Sequence, residues 1–186
     1  KTGDEPVLLL DDVLAELAGL EDIEILEETW AEDLKKIVVY VPVGYEDALR
    51  DAMCAAGAGH IGAYSHCTFG AKGMGTFLPL DGTKPFLGGQ GKLEKAEEIR
   101  LETIVPAGKL GAVVQAMLAA HPYEEPAYDV YVVERKGRRE GIGRIGSLPE
   151  AMPFVEFAEQ LRKRLGLDRI RLVGDGQKMV QRVGLC

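Results

Sequence analysis

The chain has 186 residues, which is long enough to bury a core without covalent cross-links. Its 30 acidic residues outnumber its 22 basic residues and give a net charge of −8, so we expect neither DNA nor RNA as a main partner. No apolar stretch approaches the roughly 20 residues of a membrane-spanning helix, and residues 1–6 are polar, so we expect neither a membrane partner nor export.

The cysteines indicate a reducing compartment. There are three of them, Cys54, Cys67 and Cys186, which is an odd number without a close pair, so the cytoplasm is the expected location. The chain starts without methionine and stops directly after a strand-like segment, and we therefore expect a fragment of a longer protein.

The predicted elements follow from hydrophobic spacing and from the positions of glycine and proline. In chain order they are a helix at 11–20, strands at 23–26 and 36–41, a helix at 45–56, an extended segment at 60–69, a glycine-rich long hairpin or mobile loop at 70–91, a strand at 99–105, a helix at 109–120, a strand at 128–134, a charged turn at 136–140, a short strand at 141–145, a helix at 153–165, and strands at 170–173 and 179–185.

An internal repeat organises the middle of the chain. Val41-Pro42 precedes the helix at 45–56, and Val105-Pro106 precedes the helix at 109–120 in the same register, with Met53 matching Met117. The order over residues 36–135 is thus β-α-β, hairpin, β-α-β, the split β-α-β or ferredoxin-like arrangement with two helices on one face of a four-stranded antiparallel sheet. Neither face of the strand at 128–134 is polar, so we expect another subunit or domain to cover the sheet face that the helices leave open.

The histidines are His60, His66 and His121. On an extended strand His60 and His66 would share one face but lie roughly 20 Å apart, too far to bind one zinc ion together. They are therefore structural or surface histidines, or members of a polar cluster. Cys67, beside His66, is at most a weak candidate nucleophile, because no base oriented by a third group is evident, and we assign no catalytic residue.

The segment His121-Pro122-Tyr123-Glu124-Glu125-Pro126 places two carboxylates between two prolines at the exit of a helix. One interpretation is a rigid connection with solvated glutamates. The other is a ligand-binding cluster in which His121 and Glu124 or Glu125 meet His60 or His66, within a subunit or between subunits. The candidate ligand-binding residues are His60, His66, His121, Tyr123, Glu124 and Glu125.

Several strings resemble those of a known family. They are residues 57–62 (GAGHIG), 64–69 (YSHCTF), 75–77 (GTF), 91–94 (GKLE), 102–106 (ETIVP) and 121–129 (HPYEEPAYD), with further similarity at 12–29, 141–146 and 173–175. The central strings are similar to the insert domain of the GTP cyclohydrolase I type 2 homologue family, also called Nif-three-like.

The resemblance implies a fold and an assembly. In that family the insert resembles the trimeric, ferredoxin-like PII and CutA proteins and sits on a two-lobed α/β body that forms a ring-shaped hexamer. The expected fold is accordingly α+β: residues 1–35 end a first α/β lobe, residues 36–135 form the PII/CutA-like insert, and residues 136–186 start a second lobe. The expected partner is the chain itself, as a trimer through the insert and a hexamer in the full-length family.

The resemblance also implies a pair of divalent metals, zinc, iron or manganese, in the full-length family. None of the family's ligand motifs matches a position here, so no metal or other cofactor is expected in this chain. Two functions stay open: a binding or regulatory module that senses a small molecule or nucleotide, and a metal-dependent hydrolase acting on a nucleotide or related small molecule through a metal-bound water, of which this chain is a gating part.

Overall fold

The computed structural model describes residues 10–186, which form a mixed α+β protein with antiparallel strands. The helices are α1 (Leu10–Ala18), α2 (Glu46–Ala55), α3 (Leu110–Ala120, after a short 3₁₀ turn at Ala107–Lys109) and α4 (Phe154–Arg164). The strands are β1 (Glu21–Pro42), β2 (Thr68–Phe77), β3 (Glu94–Pro106), β4 (Tyr128–Pro153) and β5 (Met179–Leu185). None of the helices in this described range is long and apolar enough to cross a membrane.

The chain divides into two compact units, one of which is Glu32–Arg138. Its strands lie in the order β2-β3-β1-β4, with β3 antiparallel to both β1 and β2. Both β1 and β3 end at a proline, Pro42 and Pro106, and a helix follows each of them. Proline has no N–H to donate, so it ends strand pairing, and it is tolerated close to the start of a helix. The repeated Val-Pro dipeptide therefore marks equivalent strand-to-helix junctions.

The core of this unit lies between the sheet and its two helices. Alternate β1 residues, Ile37, Val39 and Val41, are fully buried there, as expected for one face of a strand with a two-residue period. The helices contribute Met53 from α2 and Met117 from α3 to the same core. The matched methionines of the sequence repeat therefore occupy matched buried positions.

One predicted element of this unit is wrong, and one of two alternatives for another is confirmed. Residues 60–69 are not one extended strand, because Gly62 (φ 56°) and His66 (φ 57°) turn the chain and Ile61 pairs only with Tyr64. Of the two alternatives for residues 70–91, the long hairpin is confirmed, because residues 70–77 form most of β2, which pairs antiparallel with β3 from Thr68 to Phe77. Their glycines leave space for β3 side chains; a Cβ at Gly70, for example, would lie 3.1 Å from the Ile99 side chain.

The second unit comprises residues 10–31 together with Arg139–Cys186. Its core contains residues from α1, β4, α4 and the residue just before β1, namely Ala15, Ala18, Leu20, Leu148 and Phe157. Strand β5 pairs with β4 from Arg144 to Pro153, with an irregularity between Ser147 and Met152. Near the start of this pairing, Gly143 has a φ of 70° and donates its N–H to Asp11 (2.8 Å), while the buried Arg144 pairs with Asp12.

Two further predictions, for residues 136–140 and 170–173, are wrong. The charged segment 136–140 is not a turn, because β4 runs without interruption through it. Cross-strand ion pairs, Lys136 with Asp33 (2.5 Å) and Arg139 with Glu28 (3.0 Å), place these charges on the strand surface. Residues 170–173 form no strand, whereas β5 has the bounds expected from the sequence.

Candidate functional site

A cleft of about 550 Å³ lies within the unit Glu32–Arg138, on the sheet face opposite α2 and α3. Its floor includes Tyr40, Glu98 and Arg100, which alternate along β1 and β3 with residues of the helix-facing core. The volume is within the range of roughly 300–1,000 Å³ that is usual for small-molecule sites.

The loop between β2 and β3 forms one wall of the cleft and is held by its own hydrogen bonds. Gly91 donates its N–H to the Pro79 carbonyl (2.8 Å), and the Gln90 side-chain amide donates to the Thr83 carbonyl (2.9 Å). The Lys84 N–H donates to the Glu124 carboxylate (3.2 Å), which connects this loop to the segment after α3. The wall is therefore a shaped part of the fold.

Aromatic rings line the same space. The rings of Phe77 and Phe86 each approach Tyr123, with centroid separations of 6.0 Å and 5.9 Å. Phe86 also meets Tyr45 edge to face, at 5.6 Å. Ring pairs at these separations attract one another, so the three cleft aromatics, Phe77, Phe86 and Tyr123, fix each other's positions.

Glu98 is the buried charge of the cleft, with only 8% of its surface exposed. Gly75 on the neighbouring strand provides its space, since a Cβ at that position would lie 2.6 Å from the Glu98 carboxyl carbon. Within residues 10–186, no basic side chain forms an ion pair with Glu98. A buried carboxylate without a cation is costly to desolvate, and this arrangement favours a ligand that supplies positive charge or N–H donors.

Tyr123 lines the back of the cleft, and His121 lies behind it. The His121 side chain is 7% exposed and uses both nitrogens: Nε2–H donates to the Tyr40 carbonyl (3.0 Å), and Nδ1 accepts the Tyr123 N–H (3.0 Å). These bonds define the neutral tautomer. Burial lowers the pKa of His121, against the opposing effects of the Tyr40 carbonyl and the Glu98 charge.

The hydroxyl of Tyr123 is buried and makes no hydrogen bond that meets standard geometry with any described residue. Two effects raise the pKa of Tyr123 to about 12: the larger is burial, and the next is the charge of the nearby Glu98 carboxylate. The hydroxyl therefore stays protonated and lies close to the Glu98 carboxylate. An unsatisfied buried hydroxyl beside a buried carboxylate is a polar site within an apolar cleft.

Arg100, at the edge of the floor, is already paired. It contacts the Glu102 carboxylate, which also accepts a hydrogen bond from Lys36 (2.6 Å). Both contacts lower the pKa of Glu102, and the hydrogen bond from Lys36 has the larger effect. The guanidinium of Arg100 is thus committed to Glu102 rather than to the buried Glu98.

The candidate residues from the sequence do not all meet. Tyr123, Glu124 and Glu125 line the cleft, and His121 supports it from behind. His60 and His66 lie at the other end of the sheet, where Gly59 donates its N–H to the Ile104 carbonyl. Tyr40, which His121 contacts, pairs with Arg100, and Arg100 is four residues, or about 13 Å of strand, from Ile104 along β3, so the two groups are attached to different ends of this strand.

His60 instead borders a second, smaller cavity of about 370 Å³ with Glu32, Arg135 and Arg138. The sequence reasoning missed Phe77, Phe86 and Glu98 as members of the first cleft. Phe77 and Phe86 lie in the segment 70–91, for which the sequence predicts a long hairpin or mobile loop without indicating which side chains face a ligand. Glu98 was hidden in the charged run EKAEEIR, where alternation alone does not tell a buried carboxylate from a solvated one.

Comparison with known proteins decides the family. A family model described as Duf34/NIF3 (NGG1p interacting factor 3) matches residues 10–186. The chain belongs to the Duf34/NIF3 family. Curated relatives of the family include the GTP cyclohydrolase 1 type 2 homolog of Halalkalibacterium halodurans, 48% identical over 176 residues, and that of Bacillus subtilis, 47% identical over 176 residues.

The chain spans about half the length of these curated relatives. Each alignment covers 95% of this chain and 47% of the relative. A crystal structure of a Bacillus cereus protein related to NIF3 is 47% identical to this chain, with a TM-score of 0.80, and the match covers 94% of this chain and 46% of that one. The fold described above is therefore that of a NIF3-family segment.

The NIF3-family segment described here does not fit a metal centre. Residues 10–186 contain no group of three or more His, Cys, Asp or Glu side chains that could hold an ion.

Cys67 is not poised as a nucleophile, because its thiol donates to the Ser65 carbonyl (3.8 Å) while the His66 ring faces the Ser65 hydroxyl (3.1 Å). Cys54 is buried, which raises the pKa of its thiol.

Proposed function

We propose that this chain is a small-molecule-binding and self-associating module of a NIF3-family protein, and that it carries no catalytic set of its own. The observation that supports this most is the 550 Å³ cleft, with a hydrogen-bonded wall, aromatic lining and a buried carboxylate. The proposal includes a cytoplasmic location, which the three free cysteines favour.

The fold assignment that accompanies this function is a ferredoxin-like, PII/CutA-like insert at residues 36–135, flanked by the end of one α/β lobe (1–35) and the start of another (136–186). It is supported by the β-α-β-β-α-β order and the strand order β2-β3-β1-β4, which is the split β-α-β arrangement. In such a module the helices occupy one sheet face and leave the other for a ligand.

Self-association is the second part of the proposal: a trimer through the insert, and a hexamer for a full-length family member. The supporting surface is the first part of β4, the outermost strand of its unit, where Tyr128, Val130, Tyr131 and Val132 are all at least 39% exposed. An exposed apolar edge strand is a ready template for pairing with a further chain.

A metal-dependent hydrolase is the second candidate, favoured by the printed name of the curated relatives, GTP cyclohydrolase 1 type 2 homolog. In the longer family members we propose a pair of divalent ions, zinc, iron or manganese, as its cofactor. Since residues 10–186 offer no fitting ligand group, we propose binding for them rather than hydrolysis. Metal analysis and GTP turnover with each ion added separate the two: stoichiometric metal with turnover would contradict the binding module.

The direct test of binding uses an uncharged fluorescent aromatic amine, N-phenyl-1-naphthylamine, as a probe of the cleft. We expect its fluorescence to rise with wild-type protein and not with Gly73→Phe, because a side chain at Gly73 meets no described atom within 4 Å and projects into the cleft. Gly89→Phe is the matched control, since Gly89 is equally open but does not line the cleft. Equal fluorescence from all three proteins would contradict the assignment.

A further inference from the structure

We propose that the ligand of the cleft is a flat organic cation that carries N–H donors, such as an amidinium, a guanidinium or a protonated amino-heterocycle. This inference rests on the proposed binding function and assigns its ligand class. The carboxylate of Glu98 is the group that would bind the cation, and Phe77, Phe86 and Tyr123 would contact its flat surface.

The first step is the burial of Glu98. Its side chain is more than nine-tenths buried, lines the cleft and has no basic partner among the described residues. The neighbouring imidazole of His121 cannot serve as a cation partner in its neutral form, since both of its nitrogens are bound to backbone groups. A ligand cation would satisfy the charge that the protein leaves unpaired.

The second step is the charge of the lining. The charged side chains around the cleft are Lys72, Glu98, Arg100, Glu124 and Glu125. Arg100 is held by Glu102, so the carboxylates outnumber the available basic groups. The cleft therefore complements a cation and disfavours an anion.

The third step concerns shape and hydrogen bonding. Aromatic faces attract a flat cation through their negative π surfaces, and Phe77, Phe86 and Tyr123 meet at centroid separations of about 6 Å. A carboxylate accepts two parallel N–H donors from a planar amidinium or guanidinium, which a compact ammonium cannot present. The unsatisfied hydroxyl of Tyr123 adds a second polar contact close to the same carboxylate.

Three probes of one shape test the class by isothermal titration calorimetry: benzamidine as the cation, benzamide as the neutral analogue and benzoate as the anion. We expect benzamidine to bind at least about tenfold more tightly than benzamide, with benzoate weakest, because hydrogen bonds to a charged group are the stronger ones. The inference would be overturned if benzamide or benzoate bound about as tightly as benzamidine.

The variant Glu98→Gln keeps the shape and removes the charge. We expect it to lose the preference for benzamidine and to raise the melting temperature of the ligand-free protein, because an unpaired buried charge has been removed. Glu97→Gln is the matched control, since it is the same change at the neighbouring residue of β3, which is exposed and does not line the cleft, and it should keep the preference. An unchanged preference in Glu98→Gln would overturn the inference even if the cleft binds benzamidine.

The failure of the ligand class and the failure of the binding function are distinguishable. If N-phenyl-1-naphthylamine binds and is excluded by Gly73→Phe, while benzamidine shows no advantage over benzamide, the cleft is a binding site and the cation assignment is wrong. If neither probe binds at millimolar concentration, the binding function fails and the cation assignment fails with it.

Discussion

His121 and Tyr123 are joined by a hydrogen bond in which the Tyr123 N–H donates to Nδ1 of His121, 3.0 Å away. The other ring nitrogen of His121 donates to the Tyr40 carbonyl, so the neutral ring connects β1 to the segment that carries Tyr123. Protonation of Nδ1 would remove the acceptor for Tyr123. The back of the cleft thus depends on the charge state of one buried histidine.

The pH dependence of stability follows from this bond. Burial holds the pKa of His121 below its ordinary value of about 6.5, so the unfolded chain binds this proton more readily than the folded chain. The stability contributed by neutral His121 is complete above about pH 6.5 and is lost as the pH falls toward the lower pKa of the folded state. Urea denaturation between pH 7.5 and pH 5 measures it.

The control for this prediction is His121→Gln, whose amide can donate and accept without titrating in this range. The stability advantage of the wild type over this variant should shrink as the pH falls, because carboxylates common to both proteins cancel in the comparison. A difference that stays constant across the range would show that His121 is not held neutral by the fold.

Gly75 should be far less tolerant of substitution than Gly73, although both are on β2. In Gly75→Ala the new Cβ would displace the Glu98 carboxyl group, whose carbon would be 2.6 Å away, while in Gly73→Ala the Cβ has open space. We expect Gly75→Ala to weaken benzamidine binding on the order of tenfold and Gly73→Ala to change stability by no more than about 0.5 kcal/mol. Calorimetry and thermal melting check both; equal effects of the two would contradict the role given to Gly75.

Met117→Asp should unfold the unit Glu32–Arg138. The side chain of Met117 is fully buried between α3 and the sheet, and an unpaired carboxylate there costs several kcal/mol against a typical stability of roughly 5 to 15 kcal/mol. Met74→Asp makes the same change at a residue that is 60% exposed and should leave the fold intact. Circular dichroism melting curves that show equal stability would refute the helix-to-sheet packing.

Val132→Lys should reduce self-association, because Val132 is 79% exposed on the open edge strand β4 and a charge there opposes burial against a second copy. Val173→Lys is the control, as Val173 is 82% exposed and lies outside any strand. Sedimentation velocity at micromolar concentration should show an oligomer for the wild type and the control and a smaller species for Val132→Lys. A monomeric wild type would contradict the assembly.

The sequence predicts the layered part of this fold well, for physical reasons. The helix faces that contain Met53 and Met117 have a strong hydrophobic period, and Pro42 and Pro106 mark where strands end. The sequence leaves the hairpin that contains β2 as one of two alternatives, because the glycines of β2 lower strand propensity, and only tertiary contacts, such as the space that Gly75 leaves for Glu98, explain them.

The candidate site was predicted in part. Tyr123 was found because it lies in an unusual proline-bracketed segment, and the structure places it at the cleft. His60 was included because it follows the first helix of the repeat as His121 follows the second, but α2 and α3 deliver these residues to opposite ends of the sheet. A sequence repeat gives equivalent positions and not adjacent ones.

The most direct test of the cleft is a map of backbone amide shifts in ¹⁵N-labelled protein titrated with benzamidine. We predict saturable shifts confined to Tyr40 and residues 71–79, 83–87, 98–100 and 123–127, which surround the cleft. Shifts centred on His60 and residues 135–138, which border the second cavity, would contradict the account, as would the absence of any saturable shift.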